Sequence, residues 1–329
     1  MIRAILPALL LAPALGFAAD DMARANGYDD AWQAAWTAHA KATRAAAKTK
    51  KTPGLVLQVG DSITHANPYS QWARRATGAT PADQAVLGWC HAAHAVSADP
   101  ANPNGFALAI ADVNGRRGVT ASGGMDCSEF LSGDGNAGAA MPDLADQAAA
   151  RAALADGSAY DGNLRASTVA AAYADAEVAV IMLGTNDVNH GKSVDAVKQQ
   201  LGAIVDAFTA RRIVVVLSTI PPHHANDALA AQVSDAIGAL AKEKKLALID
   251  YRAEILARRP ADWNGTLMNP GDVHPTAGVG GFNAASDPYA DGGDAASHRT
   301  GAAASSSGYL LRSWLTIQKL KEVRAALDG

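Results

Sequence analysis

An α/β fold with a central parallel sheet and helices on both faces is what three features of this chain predict. Short runs rich in Val, Ile and Leu recur along it, stretches of helical spacing lie between the later runs, and the most conspicuous polar motifs stand just past the ends of runs. In an open sheet of this kind ligands gather beyond the carboxyl ends of the strands, so the third feature bears on function as well as on fold.

Taken in order, residues 29–51 read as the first helix. Acids stand at its start, Trp32 and Trp36 are one turn apart, and Lys41, Arg44, Lys48, Lys50 and Lys51 gather at its end, a charge order that complements the helix dipole. Residues 54–60, Gly-Leu-Val-Leu-Gln-Val-Gly, form a short apolar run between glycines, the pattern of a buried strand. Similar runs at 106–113, 177–183, 212–218 and 246–250 bring the expected sheet to about five strands. Residues 194–210 and 228–244 carry apolar side chains at helical spacing, and in the last helix, 309–327, Leu310, Trp314, Ile317, Leu320, Val323 and Leu327 fall on one side.

Two segments break the alternation. Residues 65–105 are irregular in their apolar spacing, and residues 276–307 are dominated by Gly, Ala, Ser and Asp, which reads as a surface insertion or as a flap over a nearby site. No internal repeat or sharp boundary divides the rest, so residues 19–329 are expected to form one domain.

Residues 1–18 have the form of a secretory signal peptide: Arg3, an apolar stretch, and a small-residue exit at Gly16-Phe17-Ala18. The expected location is therefore secreted or periplasmic. No later apolar run approaches the roughly 20 residues that cross a bilayer, so no stable membrane insertion is expected after cleavage. No cysteine precedes Cys90, so a lipid anchor on a cysteine at the cleavage site is not expected. The net charge of −4 gives no electrostatic reason for a nucleic-acid partner. Cys90 and Cys127 would meet an oxidising compartment after export, either as one disulfide or as two buried thiols. Nothing in the sequence speaks to the oligomeric state.

Three short motifs carry chemistry. Gly60-Asp61-Ser62-Ile63-Thr64 follows the first strand, where a serine entering a helix exposes its hydroxyl and aims its backbone N–H into the crevice; the plainer role for Ser62 is a helix cap. Gly184-Thr185-Asn186-Asp187 follows the run 177–183, and there a side-chain amide can donate to an oxyanion; the plainer role for Asn186 is a turn residue. Gly271-Asp272-Val273-His274-Pro275 supplies, late in the chain, an imidazole able to activate a serine and an acid able to fix its tautomer. There is no Gly-x-Ser-x-Gly elbow and no phosphate-binding glycine loop. Cys90 with His91 and His94, and His223 with His224, lack the further spaced ligands a metal needs.

With these blocks in this order, the chain from about residue 54 onward resembles the SGNH, or GDSL-type, hydrolases. The resemblance implies a three-layer α/β/α flavodoxin-like fold and a serine esterase without metal or cofactor. It makes Ser62 the nucleophile, His274 its base and Asp272 the acid. The oxyanion hole would comprise the N–H of Ser62, the N–H of Gly118 from the block Asn114–Gly118 (Gly115 as fallback) and the amide of Asn186. Thr219-Ile220-Pro221-Pro222 is also typical of the family. One departure stands out: the family's acid usually lies three residues before the histidine, where this chain has Gly271, and Asp272 is only two before. The family implies a small-molecule or glycan ester as substrate. Carbohydrate O-acetylesterase is the expected activity; lipase or thioesterase, acyl transfer to a sugar, and a glycan-binding module that has lost turnover are the alternatives.

Overall fold

The computed structural model describes residues 27–66, 69, 72, 76–78, 80–96, 120–135, 139–155, 163–277, 287–289 and 307–329. Among them, β1 (Thr52–Gly60), β2 (Ala176–Met182), β3 (Val214–Ser218) and β4 (Ala247–Ile249) form one parallel sheet in the order β1-β2-β3-β4. Every residue of β2, β3 and β4 is buried, as expected where helices cover both faces and the strands read as continuous Val/Ile/Leu runs. The fifth expected strand, 106–113, lies outside the described residues. The chain re-emerges beside the edge of β1 away from β2: Ala121 bridges Gly60 in parallel, and the Ser122 N–H donates to the Gly60 carbonyl at 3.1 Å.

Two groups of helices form the outer layers. In one, α1 (Gln33–Ala45) and α2 (Pro81–Val96) each pack against α3 (Gly308–Asp328), and all three pack on the sheet. In the other, α4 (Val194–Ala210) packs with α5 (Asp227–Lys244), and with α6 (Cys127–Ser132) and α7 (Ala166–Ala172). The approach of α2 to β1 depends on Gly54, at φ +78°: a Cβ there would lie 2.2 Å from the Trp89 carbonyl oxygen.

The α/β class and the sheet match the expectation, and three local readings need correction. The helix expected over 29–51 begins as a 3₁₀ turn, Gly27–Trp32, and stops at Ala45. Lys51 is not part of a solvated helix end; it is buried, with Nζ donating to the carbonyls of Ala174 (2.7 Å) and Arg211 (2.8 Å), and burial pulls its amino group down to about 8. The irregular segment 65–105 contains α2. Its start is marked by a reciprocal cap in which the Thr80 N–H donates to Asp83 Oδ2 and the Asp83 N–H to Thr80 Oγ1, both at 3.1 Å, with Pro81 at the first helical position. Third, α3 is not one-sided: from Gly308 to Leu320 nearly every residue is buried. Its cations are matched individually, Arg312 by the Ile63 carbonyl and Thr64 Oγ1, and Lys319 by Asp29 (2.8 Å) and Glu322 (2.7 Å).

Cys90 and Cys127 are both buried free thiols. No described helix is long and apolar enough to cross a membrane. Residues 1–18 and almost all of 276–307 lie outside the described residues.

Candidate active site

Because Gly60 of β1 pairs with Met182 of β2, the loops carrying Ser62 and Asn186 leave the sheet side by side. The first loop is fixed residue by residue. Gly60 has no room for a side chain, since a Cβ would sit 2.1 Å from Thr64 Oγ1 and 2.5 Å from the Met182 carbonyl. Asp61, fully buried, caps the short helix Ser62–His65 by accepting from the Ile63 N–H at 3.0 Å. Ile63 drops into the core, and Thr64 is held by Arg312. Ser62, at the first helical position, is the residue left facing the crevice, and no protein acceptor takes its N–H among the described residues.

The His274 ring completes a line of three side chains. Its Nε2 is 2.8 Å from Ser62 Oγ, and its Nδ1 is 2.8 Å from Asp272 Oδ1. The loop that aims it is tied down at several points. The Asn269 N–H donates to the His274 carbonyl (2.9 Å), the Thr276 N–H to the Leu267 carbonyl (3.0 Å), and the Gly308 N–H at the start of α3 to Thr276 Oγ1 (3.1 Å). Gly308 is itself pressed against this loop, where a Cβ would lie 2.0 Å from the Leu267 carbonyl.

The displaced acid reaches the imidazole through a tight turn. Asn269-Pro270-Gly271-Asp272 closes with the Asp272 N–H on the Asn269 carbonyl at 3.2 Å, with proline at the second position and Gly271 at φ +70°, the signature of a type II turn. Asp272 Oδ1 then accepts from the Val273 N–H at 2.6 Å as well as from His274. Partial burial raises the Asp272 carboxyl, and the His274 ring and the backbone N–H groups of Val273 and His274 more than offset it, so the group is held below its ordinary range and ionised.

Asn186 follows Gly184, whose φ of +128° admits the chain between Val233 and Ile220. One amide proton of Asn186 donates to the Met125 carbonyl at 3.1 Å, and the other is only loosely held by Asp61 Oδ2 at 3.4 Å. The third expected oxyanion residue, Gly118, and its fallback Gly115 lie outside the described residues. A different glycine pair stands at the sheet edge. Ser122–Met125 is a turn closed by the Met125 N–H on the Ser122 carbonyl at 3.4 Å, with Gly124 at φ +76° and open space where its Cβ would be. The N–H groups of Gly123 and Gly124 have no protein acceptor among the described residues. Reading the sequence missed this pair; the signal was the adjacent Gly-Gly following the small residues Ala121-Ser122.

The site is thus an imidazole held between a serine hydroxyl and a carboxylate, with an amide and unpaired backbone N–H groups at the same sheet edge. Asp61 is the second carboxylate here, and burial pushes it up to about 6 against the pull of the Ile63 N–H and Arg312. Among the described residues no group of three or more His, Cys, Asp or Glu could hold a metal. His223 and His224 instead stack, with ring centroids 5.2 Å apart.

Comparison with known proteins gives one family, the GDSL-like lipase/acylhydrolase family, matching residues 120–278. That span includes Asn186, Asp272 and His274 and begins after Ser62. Among solved structures, a lipolytic G-D-S-L family member from Veillonella parvula is 22% identical over 30% of this chain and 54% of its own, with a TM-score of 0.27, so this chain spans about half of that protein's length. GDSL-like lipases from Bacteroides thetaiotaomicron and Parabacteroides merdae are 17% and 14% identical. The first covers 74% of this chain and 90% of its own, the second 83% and 99%, each with a TM-score of 0.37. No curated protein matches the chain significantly.

Proposed function

We propose that this chain, whose residues 120–278 match the GDSL-like lipase/acylhydrolase family, is an exported serine esterase that works through an acyl-enzyme and removes O-acetyl groups from glycans. The observation that carries this reading is the unbroken line Ser62 Oγ, His274 Nε2, His274 Nδ1, Asp272 Oδ1, with 2.8 Å at both hydrogen bonds. Such a line lets a hydroxyl lose its proton as it attacks.

In the first step Ser62 Oγ bonds to the ester carbonyl carbon while its proton passes to His274 Nε2. Asp272 keeps the other proton on Nδ1 and stabilises the imidazolium that forms. The carbonyl oxygen becomes an oxyanion held by the Ser62 N–H, the Asn186 amide and an N–H of the Gly123–Gly124 turn. Collapse breaks the bond to the alcohol oxygen, which takes the proton from His274, and leaves acyl-Ser62. Water then attacks the acyl carbon, giving its proton to His274, and the acid departs as Ser62 is reprotonated.

The glycan acetyl ester is preferred over a lipid because the large aliphatic side chains of α4, α5 and α3 are mostly taken into the core, which leaves little apolar face on these helices, among the described residues, to receive a long acyl chain. The signal-like residues 1–18 support a substrate outside the cytoplasm. Acetate release from acetylated polysaccharide, measured beside hydrolysis of long-chain esters for the native protein and Ser62→Ala, tests the reading. Acetate release lost in Ser62→Ala is the expected result. Preferential cleavage of long-chain esters would overturn the substrate class, and undiminished release by Ser62→Ala would overturn the nucleophile.

A further inference from the structure

The loop after β3 contributes a histidine whose protonation state is set by its own backbone. His223 is buried, and its Nδ1 faces two backbone donors, the N–H of Ala225 at 3.2 Å and of Asn226 at 3.1 Å. A ring nitrogen that accepts from two N–H groups carries no proton, so the ring proton sits on Nε2. Nε2 is 2.8 Å from Asn189 Oδ1 and must donate to it. This fixes the Asn189 amide, whose nitrogen then donates to Asn186 Oδ1 at 3.3 Å, and so leaves the Asn186 nitrogen to donate to the Met125 carbonyl at 3.1 Å and, loosely, to Asp61 Oδ2 at 3.4 Å beside Ser62. Every bond in the sequence His223, Asn189, Asn186 runs in one direction, and reversing any amide would set oxygen against oxygen.

The far end of the chain is anchored. The His223 N–H donates to Asp227 Oδ1 at 3.0 Å, and Asp227 is gripped by both Arg252 terminal nitrogens at 2.7 and 2.8 Å. The groups facing the ring are His224, stacked on it, Asp227 with its Arg252 partner, and Asn189. Burial and the neighbouring His224 hold the His223 imidazole below its ordinary range, with Asp227 acting against them, which agrees with the neutral ring that the hydrogen bonds require.

We propose that His223 and Asn189 are positioning residues that aim the Asn186 amide, so that the orientation of an oxyanion donor on the β2 loop is set by the tautomer of a histidine on the β3 loop. This inference rests on the esterase reading and adds to it two residues that touch no substrate. The Asn186 amide, at 9% exposure, is held on its nitrogen side by the Met125 carbonyl and Asp61 Oδ2 and on its oxygen side by Asn189, whose loss would leave Oδ1 without that donor and weaken the hold against a half-turn that presents an oxygen to the oxyanion.

A double-mutant cycle on ester turnover by the full chain tests it. Asn189→Leu and His223→Ala are each expected to lower kcat on the order of tenfold with KM changed less than about twofold, because the loss falls on the transition state. In an Asn186→Ala background the same changes are expected to cost less than about threefold, since the group they aim is gone. His223→Gln, which keeps a side-chain donor, is expected to recover part of the loss seen in His223→Ala, and thermal unfolding screens each variant for folding. Equal penalties with and without Asn186, or no penalty from a folded Asn189→Leu, would overturn the inference while leaving the esterase reading in place. Absence of ester turnover in the native protein would overturn both.

Discussion

Asp272 Oδ1 lies 2.8 Å from His274 Nδ1 although the two residues are separated by Val273 alone. The contact exists because the Asn269-Pro270-Gly271-Asp272 turn reverses the chain just before the pair and the Asp272 carboxylate folds forward to accept from both Val273 and His274. Asp272→Asn should therefore lower kcat by freeing the imidazole tautomer. The carboxylate side chain is 48% exposed, so the expected loss is about 10- to 1000-fold, smaller than for a buried triad acid. Steady-state kinetics on a soluble ester measures it, and a loss equal to that of Ser62→Ala would show that the acid matters more than its exposure implies.

Asn186→Ala removes the side-chain donor while sparing Ser62 and His274. A fall in kcat of about 100- to 1000-fold with little change in KM is the expected outcome. Unchanged kcat would place the oxyanion elsewhere.

Gly60→Ala tests the packing that positions the nucleophile. The added methyl would meet Thr64 Oγ1 and the Met182 carbonyl oxygen at 2.1 and 2.5 Å, and the second is backbone that cannot step aside. A loss of about 1–3 kcal/mol or more in urea unfolding is expected, accompanied by reduced activity as Ser62 shifts.

Asp61 provides a pH test of stability. Its carboxyl is raised by burial to about 6 from an ordinary 3.8, so between those values the folded protein holds a proton that the unfolded chain has released. The penalty is absent below about pH 4, grows as pH rises through the window and is complete above about pH 6. Asp61→Asn keeps a good cap and removes the buried charge. Relative to the native protein it should gain stability from pH 4 to pH 8, by at most about 3 kcal/mol. Denaturant unfolding at the two pH values checks the sign, and a gain confined to pH 4 would contradict it.

How far the sequence revealed this arrangement follows from the range of each signal. β1, β2, β3 and β4 were visible because strands buried on both faces need continuous apolar runs, and Ser62, Asn186 and His274 were visible because each stands in a compact motif past such a run or near the chain end. The reach of Asp272 to His274 was not, since it depends on a turn whose closure involves Asn269 three residues upstream. The all-round burial of α3 escaped a reading by periodicity because Arg312, Gln318 and Lys319 find partners on segments more than 200 residues away. α2 carried a legible cap in Thr80-Pro81-Ala82-Asp83, obscured by the irregular spacing of its apolar residues.

The central claim is that Ser62 is a hydroxyl made nucleophilic by His274. Reaction of the purified protein with a fluorophosphonate, followed by peptide mass spectrometry, tests this without knowledge of the substrate. A single adduct on Ser62 that forms in the native protein and fails to form in His274→Ala is the expected result. A native protein whose Ser62 stays unmodified under conditions that label other serine esterases would contradict the account.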